Sequence, residues 1–311
     1  PSTFKSTMYK LLCTVLVYPG MLLAGIFPIS GYVSTDAFYR DYPSVFGRVL
    51  YVAFFNGFAR YKYYFAWYLA ESGCVAQGIA LSGYNKETRV AEFEGCNNCR
   101  AWAVETCTST NDLINNWNIR VSEWLKHYVY MRVQLPTVLK GKVGAKNFAS
   151  MMTKFTSAFW HGFYPGYYIF FFQVWFIQTF ETKIRAILLP YFSRPNPENP
   201  RRPTLEFPRA YIYNVIMNIF TLWSLNWLGA SFVILEFFPS VEVLWDAYFF
   251  YHVIGMTFLV VLPSLLKGKK SKKHVEGTAA AGHVQTVDTV SNDDASKLTK
   301  SPATKKKTPK A

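Results

Sequence analysis

The chain has 311 residues, of which 51% are hydrophobic and 18% aromatic, and it carries a formal net charge of +14 at pH 7. This composition argues against a soluble protein, and five scattered cysteines argue against a disulfide framework. Residues 267–311 hold eleven Lys against four acidic residues and are poor in aromatic side chains. The sequence therefore predicts a membrane-embedded domain over residues 1–266 and a disordered basic tail over residues 267–311.

Long apolar stretches recur along the first 266 residues. A helix needs about 20 mainly apolar residues to cross the hydrocarbon core of a bilayer. Five stretches meet this requirement: residues 8–30, 46–81, 148–180, 211–238 and 243–266. The second is long enough for one long span or two short ones, and the third is interrupted near Gly162 and Pro165-Gly166. The pattern predicts an all-α multispan membrane protein. Because the chain opens without Met inside a polar stretch, we expect it to be truncated at its N-terminus.

Charged residues between the stretches predict the topology. Residues 118–147 contain six basic residues and one acidic residue, and residues 181–209 contain six basic and three acidic. Short basic loops stay on the cytosolic side of a membrane. We therefore expect both loops and the basic tail to be cytosolic. Residues 82–112 are polar and slightly acidic, which predicts a loop or a surface cap.

Cys96 and Cys99 form a lone CxxC pair within that polar segment. A structural zinc site needs about four ligands, and neither a second cysteine pair nor a nearby His completes one. We therefore expect free thiols and no metal site.

An amphipathic pattern follows the polar segment. Its apolar positions recur at helical spacing and form one stripe: Ile114, Trp117, Val121, Trp124, Leu125 and Tyr128. This pattern predicts one continuous helix that lies in the membrane interface or packs on the bundle. Asn118 lies at the edge of the stripe, where it is either a surface amide or a functional group.

His161 lies inside the third apolar stretch, directly before the helix-breaking residues. Ionisable groups at membrane depth are costly and face a cavity or a partner, and irregular backbone at that depth occurs where it is buried in protein or lines a cavity. Two interpretations stay open on these residues alone: His161 faces a cavity as a functional group, or it makes a hydrogen bond between helices.

These motifs together resemble the membrane-bound O-acyltransferase family. The resemblance covers about residues 45–265. It rests on Trp117-Asn118, on the segments 124–132 and 157–162, and on Pro165-Gly166-Tyr167. The Trp-His-Gly-x-x-Pro-Gly-Tyr form is similar to the lysophospholipid acyltransferase branch, with fungal broad-specificity members looking closest. Segments 58–64 and 249–253 also look similar to the family.

The resemblance implies a helical bundle around an intramembrane catalytic chamber, with His161 and Asn118 as the catalytic pair. It implies transfer of an acyl group from acyl-CoA, a co-substrate, to the free hydroxyl of a lysophospholipid, without a cofactor and without a nucleic-acid partner. His161 would act as general base. Endoplasmic reticulum residence is implied by the family alone, since the last four residues do not form a dilysine signal. The expected substrate-binding residues are Trp117, Trp160, Tyr167, Arg132, Arg60 and His252.

Alternatives remain for several of these assignments. Arg60 either meets a lipid phosphate or marks a membrane edge. His252 either lines the chamber or makes an interhelical hydrogen bond. A relative that acylates sterol, diacylglycerol or a protein is one alternative function, and a scaffold with intact motifs is another. A transporter is an alternative from a different class, because Asn214, Asn218 and Thr221 share one helix face, although no repeated half is visible.

Overall fold

The computed structural model describes residues 2–141, 143–194, 204–205, 208–257 and 260–261. This part of the chain is mostly helical, and a further helical stretch runs over residues 250–257. The α-helices are α1 (Phe4–Ile26), α2 (Asp36–Asp41), α3 (Val45–Phe55), α4 (Tyr61–Ala76), α5 (Ala101–Glu105), α6 (Thr110–Asn116), α7 (Ile119–Leu125), α8 (Ala145–His161), α9 (Pro165–Phe192), α10 (Arg209–Leu228), α11 (Ala230–Ile234) and α12 (Phe237–Asp246).

The other elements are short. Two antiparallel ribbons pair β1 (Gly83–Tyr84) with β2 (Ala91–Glu92) and β3 (Ser193–Arg194) with β4 (Thr204–Leu205). Single 3₁₀ turns cover Asn56–Arg60 and Thr137–Leu139, and one π turn covers Lys126–Tyr130.

Two helical segments among the described residues are long and apolar enough to cross a membrane. They are Phe4–Ile26, which is α1, and Arg209–Ile234, which joins α10 and α11. Helix α9 has 28 residues and is long enough, at about 1.5 Å per residue, to cover a bilayer core. Its C-terminal part carries Glu181, Lys183 and Arg185, which lowers its mean hydropathy.

Two of the predicted apolar stretches are each interrupted between two helices, as the sequence allowed. The stretch over residues 46–81 contains most of α3, the 3₁₀ turn and α4, so it is not one uninterrupted helix; neither α3 nor α4 is among the two segments long and apolar enough to cross a membrane. Residues 148–180 divide as predicted, since α8 ends at His161 and α9 begins at Pro165. Proline suits the first position of α9 because the N–H that it lacks would have no partner inside the helix.

The prediction of one continuous helix over residues 243–266 is wrong in its first part. Helix α12 ends at Asp246, and the chain turns before it becomes helical again at residue 250. Tyr248 and Phe249 take left-handed φ angles of 53° and 47°, which interrupt a right-handed helix. Residues 262–266 and the predicted tail over 267–311 lie outside the described residues.

The prediction of a loop or surface cap over residues 82–112 holds for its first part, since residues 82–92 are mostly irregular and exposed, but the part from residue 93 onward is folded into the molecule. The whole segment contains β1, β2, α5 and the start of α6. Cys99, Val104 and Thr110 in it are buried, and they contact helices α4 and α9. Polar groups inside a protein are tolerated when they are paired, as the Thr110 backbone N–H is with the Glu181 carboxylate at 2.8 Å.

The main apolar core lies where α3, α9, α10, α11 and α12 meet. Helix α1 packs along α4 at one side of this core. Gly20 makes the approach of these two helices possible, because a Cβ atom at that position would overlap the ring of Tyr61. A second, smaller core forms around Tyr64 and Tyr68 of α4, and Trp117 packs against it. Of the predicted site residues, Trp117 therefore lies at the edge of this second core.

Candidate active site

His161 is the last residue of α8, and Gly162 after it ends the helix. The Gly162 φ angle is 127°, a conformation that residues with a Cβ atom rarely adopt. The glycine thus stops α8 at the histidine, and the chain re-enters a helix only three residues later, at Pro165. His161 is therefore held at a helix end and not in the middle of a span.

Aromatic rings surround the half-buried imidazole of His161. The ring centroids of Trp160, Tyr167, Phe171 and Phe232 lie 4.8, 5.4, 5.3 and 5.1 Å from that of the imidazole. Within the described part of the chain, no side chain or backbone group makes a hydrogen bond to the imidazole, so the interhelical hydrogen bond considered from the sequence is not seen. Both ring nitrogens are available to an incoming group.

Gly166 fixes the start of α9 against α11. Its backbone N–H donates to the carbonyl oxygen of Leu235 at 2.8 Å. A Cβ atom on Gly166 would overlap the Ser231 carbonyl oxygen and would lie 2.7 Å from the Leu235 Cα. This close approach brings Tyr167 of α9 and Phe232 of α11 into contact, with ring centroids 4.9 Å apart, beside His161.

We expect Gly166→Ala to destabilise the protein, because the backbone of α11 cannot move away as a flexible side chain could. Overpacking of this kind typically costs about 1–3 kcal/mol. Gly73→Ala is the matched control: Gly73 lies in α4 with open space where a Cβ would be, and the substitution should be neutral or stabilising. The midpoints of thermal unfolding in detergent measure both effects. Equal midpoints for the two variants would contradict the close contact at Gly166.

Asn118 lies in a tight turn between two helices. Helix α6 ends at Asn116, Asn118 has φ 46° and ψ 53°, and α7 begins at Ile119. Asn is enriched among residues other than glycine in this left-handed conformation. The predicted continuous amphipathic helix over residues 114–128 is therefore wrong: a turn, α7 and the π turn replace it, and the apolar stripe is contributed by separate pieces.

Trp117 anchors this turn. Its indole packs edge-on against three aromatic rings of α4, with centroid distances of 5.5 Å to Tyr63, 5.5 Å to Tyr64 and 4.8 Å to Trp67. Trp117 is half-buried in this contact. Its position explains the Trp-Asn pair in structural terms: the tryptophan holds the turn on α4, and the asparagine supplies the left-handed residue.

Contacts between neighbouring elements connect the Asn118 turn with α8, the helix that ends at His161. Tyr63 of α4 contacts Trp117 at the turn. Tyr167 of α9 contacts His161. The π turn that follows α7 also packs against α8. No hydrogen bond between Asn118 and His161 is found among the described residues, so the structure does not pair the two side chains directly.

The other predicted substrate-binding residues are dispersed. Trp160 is 55% exposed beside His161, and Tyr167 is half-buried there. Arg132 is exposed at the end of the π turn, with its guanidinium 5.0 Å from the centre of the Tyr128 ring. An open groove runs beside it, lined by Arg120, Glu123, Trp124, His127, Tyr128, Met131 and Arg132.

Arg60 is engaged within the protein. Its guanidinium makes a two-pronged ion pair with Glu105 at 2.9 and 2.8 Å and also donates to Asn226. The Tyr64 hydroxyl donates to the same carboxylate at 2.8 Å. Because Glu105 already neutralises the charge, this geometry does not support the expected contact with a lipid phosphate. Arg60 connects the folded 82–112 segment to α4 and α10.

His252 packs between aromatic rings in the helix over residues 250–257. Its ring stacks on Phe176 at 5.5 Å and contacts Phe249 at 5.8 Å. Its Nδ1 atom is buried and has no hydrogen-bond partner among the described residues. The interhelical hydrogen bond considered from the sequence is therefore not made by Nδ1.

The five cysteines are free thiols, as the sequence predicted: Cys13, Cys74, Cys96, Cys99 and Cys107. Cys99 is buried, and this burial raises the pKa of its thiol to about 12. In the part of the chain that the structure describes, no three His, Cys, Asp or Glu side chains lie close enough together to hold a metal ion.

Sequence reasoning did not find the residues that support Asn118. Asn98 donates a hydrogen bond from Nδ2 to Asn118 Oδ1 at 3.2 Å. Asn98 is itself held by Glu71, which pairs with Lys10 at 2.6 Å. The available signal was the presence of Lys10 and Glu71 inside apolar stretches, because charges in such places usually have a partner or a function.

Comparison with known proteins identifies the family. The family model described as membrane-bound O-acyltransferase matches residues 1–222. A lysophospholipid acyltransferase of Saccharomyces cerevisiae is 31% identical over 228 residues, or 73% of this chain and 35% of the yeast protein. The Schizosaccharomyces pombe lysophospholipid acyltransferase is 31% identical over 240 residues, or 76% of this chain and 45% of that protein.

A mammalian relative extends the match along the chain. Membrane-bound glycerophospholipid O-acyltransferase 1 of Mus musculus is 29% identical over 266 residues, which are 85% of this chain and 48% of the mouse protein. The chain therefore spans between about a third and a half of the length of these relatives. Since the family model covers well over half of the 311 residues, the chain belongs to the membrane-bound O-acyltransferase family.

Proposed function

We propose that this chain provides the His161 and Asn118 part of an enzyme that transfers a fatty acyl group from acyl-CoA to the free hydroxyl of a lysophospholipid. The observation that carries the proposal is the unpaired imidazole of His161 at a helix break, inside an aromatic enclosure. The names of the yeast and mouse relatives support lysophospholipids as the acyl acceptors.

The proposed reaction needs a base, because a lysophospholipid hydroxyl is a poor nucleophile near neutral pH. A neutral His161 imidazole takes the hydroxyl proton while the oxygen attacks the thioester carbonyl, an effect typically worth about 10²–10⁴-fold. The new ester bond forms as the carbon–sulfur bond breaks, and coenzyme A leaves with the proton. The acyl group passes directly to the acceptor, and no covalent acyl-enzyme intermediate is needed. The trigonal carbonyl develops negative charge on its oxygen, and the Asn118 amide is the candidate donor to that oxygen.

The open groove beside Arg132 is the candidate site for the nucleotide end of acyl-CoA. The Trp124 and Tyr128 rings are stacked with their centroids 6.2 Å apart and offer a flat aromatic face. Arg132 lies over Tyr128, and His127 lines the same groove. Arginine and aromatic faces are suited to phosphates and to a purine base.

The architecture that goes with this function is a multispan helical bundle around an intramembrane chamber. In the full-length enzyme the basic loops and the tail face the cytosol, where acyl-CoA is available, and the lysophospholipid enters from the membrane. Residence in the endoplasmic reticulum membrane belongs to the same proposal.

Coenzyme A release by full-length enzyme tests the function. We expect release from oleoyl-CoA only when a lysophospholipid is added, with mass spectrometry identifying the diacyl product. Parallel reactions with a sterol, a diacylglycerol and a peptide acceptor serve as controls. Release that depends on one of those acceptors instead would favour a different branch of the family, and absence of any coupled release would favour a transporter.

A further inference from the structure

Asn98 makes four hydrogen bonds, three of which hold the Asn118 turn. Its carbonyl oxygen accepts from the Ile119 backbone N–H at 2.8 Å, and its Oδ1 accepts from the Arg120 backbone N–H at 3.2 Å. Its Nδ2 donates to Asn118 Oδ1 at 3.2 Å. Its own backbone N–H donates to Glu71 Oε1 at 2.6 Å. Asn98 thus contacts both the backbone and the side chain of the turn.

These contacts fix which way the Asn118 amide points. The backbone N–H of Arg120 is only a donor, so the Asn98 atom that faces it must be the oxygen. The opposite end of the Asn98 amide is then an NH₂ group, which only donates, and the Asn118 atom that it meets must be an oxygen. The Asn118 NH₂ group is therefore turned away from Asn98. No hydrogen bond from this group is found in the described part of the chain.

Asn98 is itself anchored by buried charges. Glu71 is 3% exposed, and its carboxylate accepts from the backbone N–H groups of Asn98 and Cys99. The Lys10 ammonium of α1 donates to the same carboxylate at 2.6 Å and to Asn97 Oδ1 at 2.9 Å. A buried carboxylate with a paired charge and further hydrogen bonds is held in one position, because loss of any partner is costly.

We infer that Asn98 is a positioning residue that holds the Asn118 amide in one orientation, so that Asn118 presents its NH₂ group as a hydrogen-bond donor to the reacting carbonyl oxygen. This inference rests on the proposed acyl transfer, and it distinguishes two roles that the Asn118 amide could have: donating to the reacting carbonyl oxygen, or accepting a hydrogen bond that orients the His161 imidazole. Asn118 acts as a donor to developing negative charge and not as an acceptor that orients the His161 imidazole.

Two substitutions at Asn98 separate positioning from simple support of the fold. Asn98→Asp keeps the acceptor for the Arg120 N–H but places a carboxylate oxygen opposite Asn118 Oδ1. The Asn118 amide then rotates to donate to that carboxylate and no longer presents its NH₂ group. Asn98→Ala removes both side-chain bonds without forcing this rotation. Positioning therefore predicts that Asn98→Asp lowers kcat more than Asn98→Ala, whereas a supporting role predicts the reverse order.

The measurements are kcat and KM for oleoyl-CoA with a lysophospholipid acceptor, per amount of folded full-length enzyme. We expect Asn98→Asp to lower kcat by about 10²-fold or more, the loss typical of one missing donor. KM for acyl-CoA should change by less than about threefold, since the interaction is made in the transition state. Asn115→Asp adds the same charge at an exposed position of α6 and should keep kcat near that of the unmodified enzyme.

A second variant tests the donor directly if Asn98→Asp fails to fold. Asn118→Asp keeps the oxygen that accepts from Asn98 but has no NH₂ group, so its kcat should fall as far as that of Asn118→Ala. Retention of more than about a tenth of kcat by Asn118→Asp would overturn the inference, as would a larger loss for Asn98→Ala than for Asn98→Asp. If Asn118→Ala itself keeps full turnover, the proposed site fails, and the inference fails with it.

Discussion

Replacing His161 with Ala is expected to lower acyl transfer by about 10²–10⁴-fold while the protein still accumulates in membranes. The reason is chemical: without the imidazole, no group at the helix break takes the proton of the acceptor hydroxyl. The assay is the rate of labelled acyl transfer to a lysophospholipid in microsomes, divided by the amount of enzyme. Retention of more than about a tenth of the original rate would rule out general-base catalysis by His161.

His161→Phe is the matched control for packing. The aromatic enclosure of Trp160, Tyr167, Phe171 and Phe232 can receive a phenyl ring of similar size. This variant should therefore keep the midpoint of thermal unfolding and lose activity as completely as His161→Ala. An active His161→Phe enzyme would show that the residue serves only to fill the enclosure.

The second large effect is expected at Asn118, where Asn118→Ala and Asn118→Gly should both lower kcat by at least about 10²-fold. Acyl-CoA binding should stay nearly intact, because an interaction made only in the transition state does not contribute to ground-state affinity. Both variants are needed because of the left-handed backbone at this position. Alanine adds about 1 kcal/mol of strain there, whereas glycine adds none.

Comparison of these two variants separates the amide from the backbone. Equal losses of kcat mean that the amide itself is required. A loss with Asn118→Ala but not with Asn118→Gly would mean that only the shape of the turn matters. Loss of acyl-CoA binding together with turnover would mean that Asn118 shapes the substrate site in the ground state, and its assignment to charge stabilisation would be wrong.

The sequence predicted the local structure around His161 much better than that around Asn118. Gly162 and Pro165 interrupt a helix by their own backbone preferences, so the break beside His161 can be located from single residues. Asn118 gives no such signal, since asparagine also occurs inside helices. The apolar residues on both sides of the turn happen to keep helical spacing, and periodicity alone therefore predicted one helix through a turn.

Long-range pairing explains the other differences between sequence and structure. Glu71 and Lys10 are 61 positions apart, and Arg60 and Glu105 are 45 apart. One sequence contains no information on which of its charges meet. The part of the polar segment from residue 93 onward was expected to be a loop or a surface cap for the same reason: its buried partners on α4 and α9 lie far away along the chain. Composition and local spacing were therefore enough to indicate the class of protein. The residues that hold Asn118 in place could be identified only from the structure.

His161 and Asn118 are held in place by different kinds of interaction. His161 depends on close apolar packing of α9 against α11 at Gly166, and Asn118 depends on a polar network that ends at Lys10 of α1. Proteins open locally in separate cooperative units. A detergent that loosens α1 can therefore disrupt the polar network at Asn118 and inactivate the enzyme. The circular dichroism of the enzyme would still report full helicity. Hydrogen exchange at the Asn98 and Ile119 amides would follow the surviving activity of a purified sample more faithfully than ellipticity does.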